Sequence, residues 1–254
     1  MELLVSGIVS LGSLAFYRRL MQSARPAGSI PLPYGWPDAL FVLLLIGWFV
    51  SNLIGSHGRE VVITAPMLVA NAVFTGLLLV CLGSFLIFRS LNPLKLFGLN
   101  LPGFRRSLSA APLALIAALP VIYFVHALSH RAFGEPPPQP LVQFLMHNSS
   151  WNDRLLLAFT AIVVAPISEE VIFRGYLYGT FRRYAGRGWA LGVSAVIFAA
   201  IHAHLPALGG LLVLAVVLTL LYEYTSSLWG PIVLHALFNG LTVAATLLWP
   251  DTLP

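Results

Sequence analysis

Long apolar runs separated by short polar breaks dominate the chain. They cover residues 38–56, 61–88, 110–128, 155–181, 188–203, 207–222 and 229–249, with a further run at 3–17 ("LLVSGIVSLGSLAFY"). A helix rises about 1.5 Å per residue, so roughly 20 apolar residues cross the ~30 Å hydrocarbon core of a bilayer. The pattern therefore predicts about eight transmembrane helices, of which 3–17 and 188–203 are short. Backbone polar groups in lipid must be paired internally, and open sheet edges are excluded. The expected fold class is all-α, a polytopic membrane helical bundle.

Composition agrees with the pattern. Apolar residues make up 58% of 254 and charged residues only 9%, against about a quarter charged in soluble domains. Mean hydropathy is +0.87. The formal charge of +5 raises nucleic acid as a partner, but the Lys and Arg residues fall between apolar runs and form no basic face interleaved with aromatics. The reading is no nucleic acid; the lipid bilayer is the partner. The one cysteine, Cys81, lies in an apolar run and has no intrachain partner for a disulfide.

Positive charge alternates between loops. Arg18, Arg19 and Arg25 follow the first run; Arg89, Lys95, Arg105 and Arg106 follow the third; Arg182, Arg183 and Arg187 follow the fifth. These hold ten of the fourteen Lys and Arg, while the intervening loops offset Arg59 with Glu60, and Arg131 and Arg154 with Glu135 and Asp153. The positive-inside rule places the basic loops in the cytoplasm and both termini outside, in a cell (inner) membrane. Glu2 precedes the 3–17 run and arginines follow it, the reverse of a secretory signal, so it reads as a retained helix. A proline cluster opens 131–154, and "PLVQFLMH" after it reads as a short helix on the membrane surface. No repeat or second domain is visible: residues 1–150 carry helices and loops without a readable motif, and 151–254 carry the motifs, within one integral membrane domain.

The stretch "APISEEVIFRG" (165–175) places Glu169, Glu170 and Arg174 inside an apolar run. Each charge at a helix centre costs about 2.5–3.5 kcal/mol, on the order of 8 to 10 kcal/mol together, against roughly 0.3–0.6 regained per large apolar residue. Such a helix requires partners for its charges. Glu170 and Arg174 are four apart with the acid first, the favoured order for an ion pair on one face. Glu169 is turned about 100° away and stays available. Pro166 lacks an N–H and crowds the carbonyl of Ile162, which predicts a kink.

Other runs supply company. "FAAIHAHL" (198–205) brings His202, and "GPIVLHALFNG" (230–240) brings His235 and Asn239 four apart. Counted from the cytoplasmic ends at about 1.5 Å per residue, Glu169 and His202 lie roughly 20 Å deep, Asn239 roughly 16 Å and His235 roughly 10 Å. The four can meet inside the bundle. His126, His130, His147, His204 and the Glu223 segment with Tyr222 and Tyr224 read as interfacial.

Intramembrane ionisable groups mark functional sites. A carboxylate and an imidazole beside a wet pocket deprotonate and orient water, and neutral donors stabilise the oxyanion formed on a peptide carbonyl. Glu169 is the candidate base and His202 its assistant. His235 and Asn239 are the candidate oxyanion donors, and Glu170 with Arg174 a supporting clamp. Glu169, His202 and His235 with a water also make a zinc set, so the metal question stays open. H-E-x-x-H and G-x-S-x-G do not occur.

E-E-x-x-x-R (Glu169, Glu170, Arg174), F-x-x-x-H (Phe198, His202) and H-x-x-x-N (His235, Asn239), in that order over roughly 150–245, resemble the CAAX-prenyl-protease and bacteriocin-processing family (CPBP, or Abi) of intramembrane endopeptidases. The resemblance implies peptide hydrolysis in the membrane, with the first glutamate activating water, the first histidine assisting and the last histidine and asparagine lining the oxyanion site. The family has been described both as zinc metalloproteases and as glutamate proteases; the metal-free form is favoured here because no second carboxylate is free to complete a ligand set. Eukaryotic members clip prenylated C-termini, and others are linked to peptide maturation or bacteriocin immunity, so the implied partner is a peptide or protein substrate, lipidated or membrane-embedded. Two rivals stand beside this reading. A proton- or ion-coupled transporter needs a similar Glu/His relay but usually shows repeats and matched broken helices; a bacteriocin-immunity or binding protein keeps the pocket without turnover.

Overall fold

The computed structural model describes residues 18, 30–56, 62–134, 140–147 and 150–248. Among these the chain is helical, without strands. The elements are α1 (Trp36–Ser56), α2 (Ala65–Phe88), the single turn α3 (Pro93–Leu96), α4 (Leu101–Phe133), α5 (Pro140–His147), a helical run α6 (Trp151–Ala200), α7 (Leu205–Thr225) and α8 (Trp229–Leu248). Six helical units are long and apolar enough to cross a membrane.

The longest unit, α6, is two helices. Arg174 lies 4.2 Å from the ring of Phe198, yet a straight helix would hold residues 24 apart at about 36 Å. The chain reverses at Gly186, whose φ of 79° and ψ of 171° are non-helical. A residue with a Cβ is disfavoured at that φ, and glycine adopts it freely. The arms, 151–185 and 187–200, reproduce the predicted runs 155–181 and 188–203. With α6 taken as two arms, seven of the eight predicted runs have a helical counterpart among the described residues, and the run 3–17 lies outside them.

Burial sorts the helices into layers. In its most apolar window α7 is 61% buried, against 17% for α1 and 11% for α2, so α7 is the central post and the first two helices are peripheral. Exposed Leu43, Leu44, Leu77, Val80 and Phe88 give them a lipid-facing surface. The long α4 contains Pro112 and Pro120 and packs Ala111, Ala114, Leu115 and Ala118 against Leu214, Leu218 and Leu221 of α7. Small residues on one face let these backbones approach closely, the usual basis of helix association in lipid. A second core joins Phe173, Tyr176 and Leu177 of α6 to Leu82 and Leu86 of α2 and to Phe198.

Two expectations change. The helix at 140–147 forms, but Phe144 and Leu145 are buried with Leu68, Leu157 and Val243, so it plugs the bundle as well as covering it. Glu223 and Tyr222 are buried too, at 4% and 2% exposure, and do not form an interfacial belt. Glu223 accepts from the Tyr178 hydroxyl at 2.5 Å and from Arg187 at 2.6, 2.9 and 3.0 Å, and Arg182 lies 3.2 Å away. A carboxylate that satisfies two guanidiniums and a phenol can be buried where a lone one cannot. The cluster straddles Gly186 and ties both arms of α6 to α7.

Candidate active site

The first arm of α6 is not uniformly α-helical. Ala165 donates its backbone N–H to the Thr160 carbonyl, five residues back, so residues Thr160–Val164 form a π-turn immediately before Pro166. The proline has no N–H to continue the α ladder, and the wider turn is how the chain absorbs it. The predicted kink takes this form. An α-helix would direct the Ala165 N–H to the Ala161 carbonyl; here that carbonyl is released, and Asn239 of α8 donates Nδ2 to it at 2.8 Å. A second π-turn, Val171–Leu177, follows Glu170, with Tyr178 donating to Phe173. Short π-turns inside α-helices concentrate at functional sites.

Between the two π-turns stand Glu169 and Glu170. Glu170 is fully buried, and its Oε1 accepts from Arg174 Nη1 at 2.8 Å and meets His235 Nδ1 at 2.8 Å. Arg174, also buried, donates through Nη2 to the Ala215 carbonyl at 3.3 Å and lies over the Phe198 ring. The i,i+4 pair therefore forms and extends to a third residue, His235. Glu169 is partly exposed, at 25% of its side chain, and its Oε2 lies 3.9 Å from His235 Nε2. Glu169 Oε2 and Glu170 Oε2 are both buried atoms without a hydrogen-bond partner among the described residues. Each imidazole nitrogen of His235 thus addresses a different glutamate.

His202 and Asn239 join less directly. The second arm of α6 ends at Ala200, and His202 sits in the turn that follows, its Nδ1 2.7 Å from the Phe198 carbonyl. The Phe198 ring touches both imidazoles, with centroids 5.0 Å from His202 and 5.8 Å from His235. Asn239 lies one helical turn beyond His235 and faces the first π-turn. His204 caps α7, accepting from the Ala207 N–H. Among the described residues no three His, Cys, Asp or Glu side chains gather closely enough to hold a metal ion, so the set Glu169, His202 and His235 does not assemble as zinc ligands in this structure.

A third polar cluster has only a weak signal in the sequence. Asp38, fully buried at the start of α1, accepts from the Gly35 N–H at 2.6 Å and from the Tyr176 hydroxyl at 3.0 Å, and is paired with Arg89 at the end of α2. Sequence reasoning placed Arg89 among the loop charges and left Asp38 unread. An aspartate three residues after Gly35, ahead of an apolar run, is a helix-start signal, and it was the only clue available.

A model of the Rce1-like family, type II CAAX prenyl endopeptidases, matches residues 150–241. The chain is 29% identical over 127 residues to an uncharacterized 24.3 kDa protein of Escherichia coli, covering 48% of this chain and 58% of that protein. It is 32% identical over 88 residues to YdiL of Bacillus subtilis (strain 168), covering 35% and 36%, and 30% identical over 104 residues to the membrane-embedded CAAX protease MroQ of Staphylococcus aureus (strain USA300), covering 39% and 42%. The matches thus span between 36% and 58% of the relatives' lengths. No solved structure matches the chain. The matched region contains all three motifs and both π-turns, and over it the chain is similar to the Rce1-like family of type II CAAX prenyl endopeptidases.

Proposed function

We propose that the protein is an intramembrane endopeptidase that hydrolyses a peptide bond with a water activated by Glu169. The observation that carries this reading is the 3.9 Å gap between Glu169 Oε2 and His235 Nε2, with Oε2 buried and unpaired. That distance is too long for a direct hydrogen bond, and the reading places the attacking water between the two atoms. Glu169 takes a proton from that water as its oxygen attacks the substrate carbonyl. The resulting carboxylic acid returns the proton to the amine that leaves when the C–N bond breaks. His202, whose ring packs against Phe198, is the proposed assistant of Glu169.

The oxyanion role falls to His235 Nε2 and Asn239. For Nε2 to donate while Nδ1 donates to Glu170, the ring must carry both protons. Asn239 has one N–H on Ala161 and a second to offer. A transporter or an immunity protein would not need this division of labour between two adjacent carboxylates, one held through Oε1 by Arg174 and His235 and the other left 3.9 Å from His235.

The substrate is a peptide or protein segment that reaches the site from the bilayer, lipidated or membrane-embedded, and the basic loops face the cytoplasm of a cell membrane. Purified protein in detergent, presented with a peptide library, tests the reading. Glu169→Gln and His202→Ala should each reduce cleavage by about 10²–10⁴-fold, the usual weight of a positioned acid–base group, with the fold retained. Cleavage at the wild-type rate by both variants overturns the assignment.

A further inference from the structure

The second π-turn needs an anchor, and the anchor lies outside the region that matches the family. Tyr34 donates its hydroxyl to the Gly175 carbonyl at 2.5 Å, and Tyr176 donates to Asp38 Oδ1 at 3.0 Å. The ring of Tyr176 is held edge-on by Tyr34 and Phe41, each with centroids 5.7 Å away. Asp38 itself is fixed by the Gly35 N–H and by Arg89. Both bonds to α6 thus fall on consecutive residues of the π-turn, two turns or less from Glu170.

A π-turn carries one more residue than an α-helical turn and is less favourable. If this one relaxed to α geometry, residues beyond it would rotate by about 100° relative to Glu170. Tyr176 cannot face Asp38 while Glu170 and Arg174 face His235 and Ala215 unless the extra residue is retained. We propose that Asp38 is a positioning residue for the active site: by holding Tyr176 it fixes the register of the π-turn, and through that register the orientation of Glu170 toward His235. This rests on the protease reading for its catalytic consequence, but its structural content stands apart.

The test uses the full chain in detergent, labelled with ¹⁵N-histidine, with the His235 resonances assigned from a His235→Gln sample. Tyr176→Phe removes one hydroxyl and leaves the ring packing intact; Asp38→Asn keeps size and removes charge. Expected for Tyr176→Phe are a shifted His235 Nδ1 resonance and a fall in kcat on the order of ten- to a hundred-fold, as for a small misplacement of a reacting group, with KM unchanged. A His235 resonance that stays at its wild-type position in a folded Tyr176→Phe protein overturns the proposal, whatever its activity. Should Asp38→Asn fail to fold, Tyr176→Phe alone decides. An active Glu169→Gln protein would instead overturn the protease reading and leave the resonance test untouched.

Discussion

His235 binds Glu170 through Nδ1 at 2.8 Å while its Nε2 stands 3.9 Å from Glu169. One imidazole thereby bonds the carboxylate that Arg174 also holds and stops short of a hydrogen bond to its neighbour. Removing the paired partner strands the buried guanidinium of Arg174, which is 2% exposed. Glu170→Gln should therefore destabilise by about 3–5 kcal/mol, the cost of leaving one charge of a buried pair uncompensated. Thermal unfolding in detergent measures it. The double variant Glu170→Gln/Arg174→Met should recover part of the loss, since two neutral groups of similar volume replace the pair. A stable, well-folded Arg174→Ala protein that is catalytically dead would show the pair to be more than a clamp.

Pro166 makes a second, opposite prediction. Its missing N–H goes with the first π-turn, and that turn releases the Ala161 carbonyl to Asn239. Pro166→Ala restores the donor and lets Ala165 return to Ala161 in α geometry. Stability should rise by up to about 3 kcal/mol of relieved helix interruption, read as a higher melting temperature, while activity falls because Asn239 loses its partner and its position. A stabilised but slower enzyme is the familiar exchange at a working site. A double-mutant cycle with Asn239→Ala checks the link: the asparagine should cost less to remove in the Pro166→Ala background.

The fold and site were unequally legible. Apolar run length gave most of the helices to within four residues, because lipid permits little else, although α4 begins at Leu101 rather than 110; helical spacing gave the Glu170–Arg174 pair. The turn at Gly186 was legible as a polar break between two runs. What escaped were partners far apart in sequence. His235 is 65 residues from Glu170 and its ring meets both glutamates, which neither helix's periodicity specifies. Glu223 flanked by two tyrosines looks like an interfacial belt until Arg182 and Arg187 are folded onto it. The π-turns are invisible to a 3.6-residue count, since they depend on what the freed carbonyls meet.

The donor set bears on metal dependence. Glu169 and His235 approach each other, but among the described residues no third His, Cys, Asp or Glu side chain completes a site, and catalytic zinc is usually held by three protein ligands. Cleavage should therefore persist at an unchanged rate after prolonged treatment with a strong chelator, and elemental analysis of the active protein should find zinc well below one equivalent. Stoichiometric zinc, lost together with activity on chelation and regained with it, would replace the glutamate-type reading by a metalloprotease in which His202 moves toward Glu169.

Glu223 holds the reversal of α6 closed. Its carboxylate takes the Tyr178 hydroxyl and Arg187, and faces the buried Arg182, so both arms depend on one acid of α7. Glu223→Gln keeps the shape but removes the charge that compensates Arg182. It should lower the unfolding temperature by an amount corresponding to about 3 kcal/mol, with cleavage at low temperature close to wild type, because Phe198 still packs against both imidazoles within the apolar core. Arg187→Ala should cost much less, since its side chain is 39% exposed and solvent screens the pair. Equal losses from the two variants would mean that the hairpin is held by Arg187 and not by the buried member of the cluster.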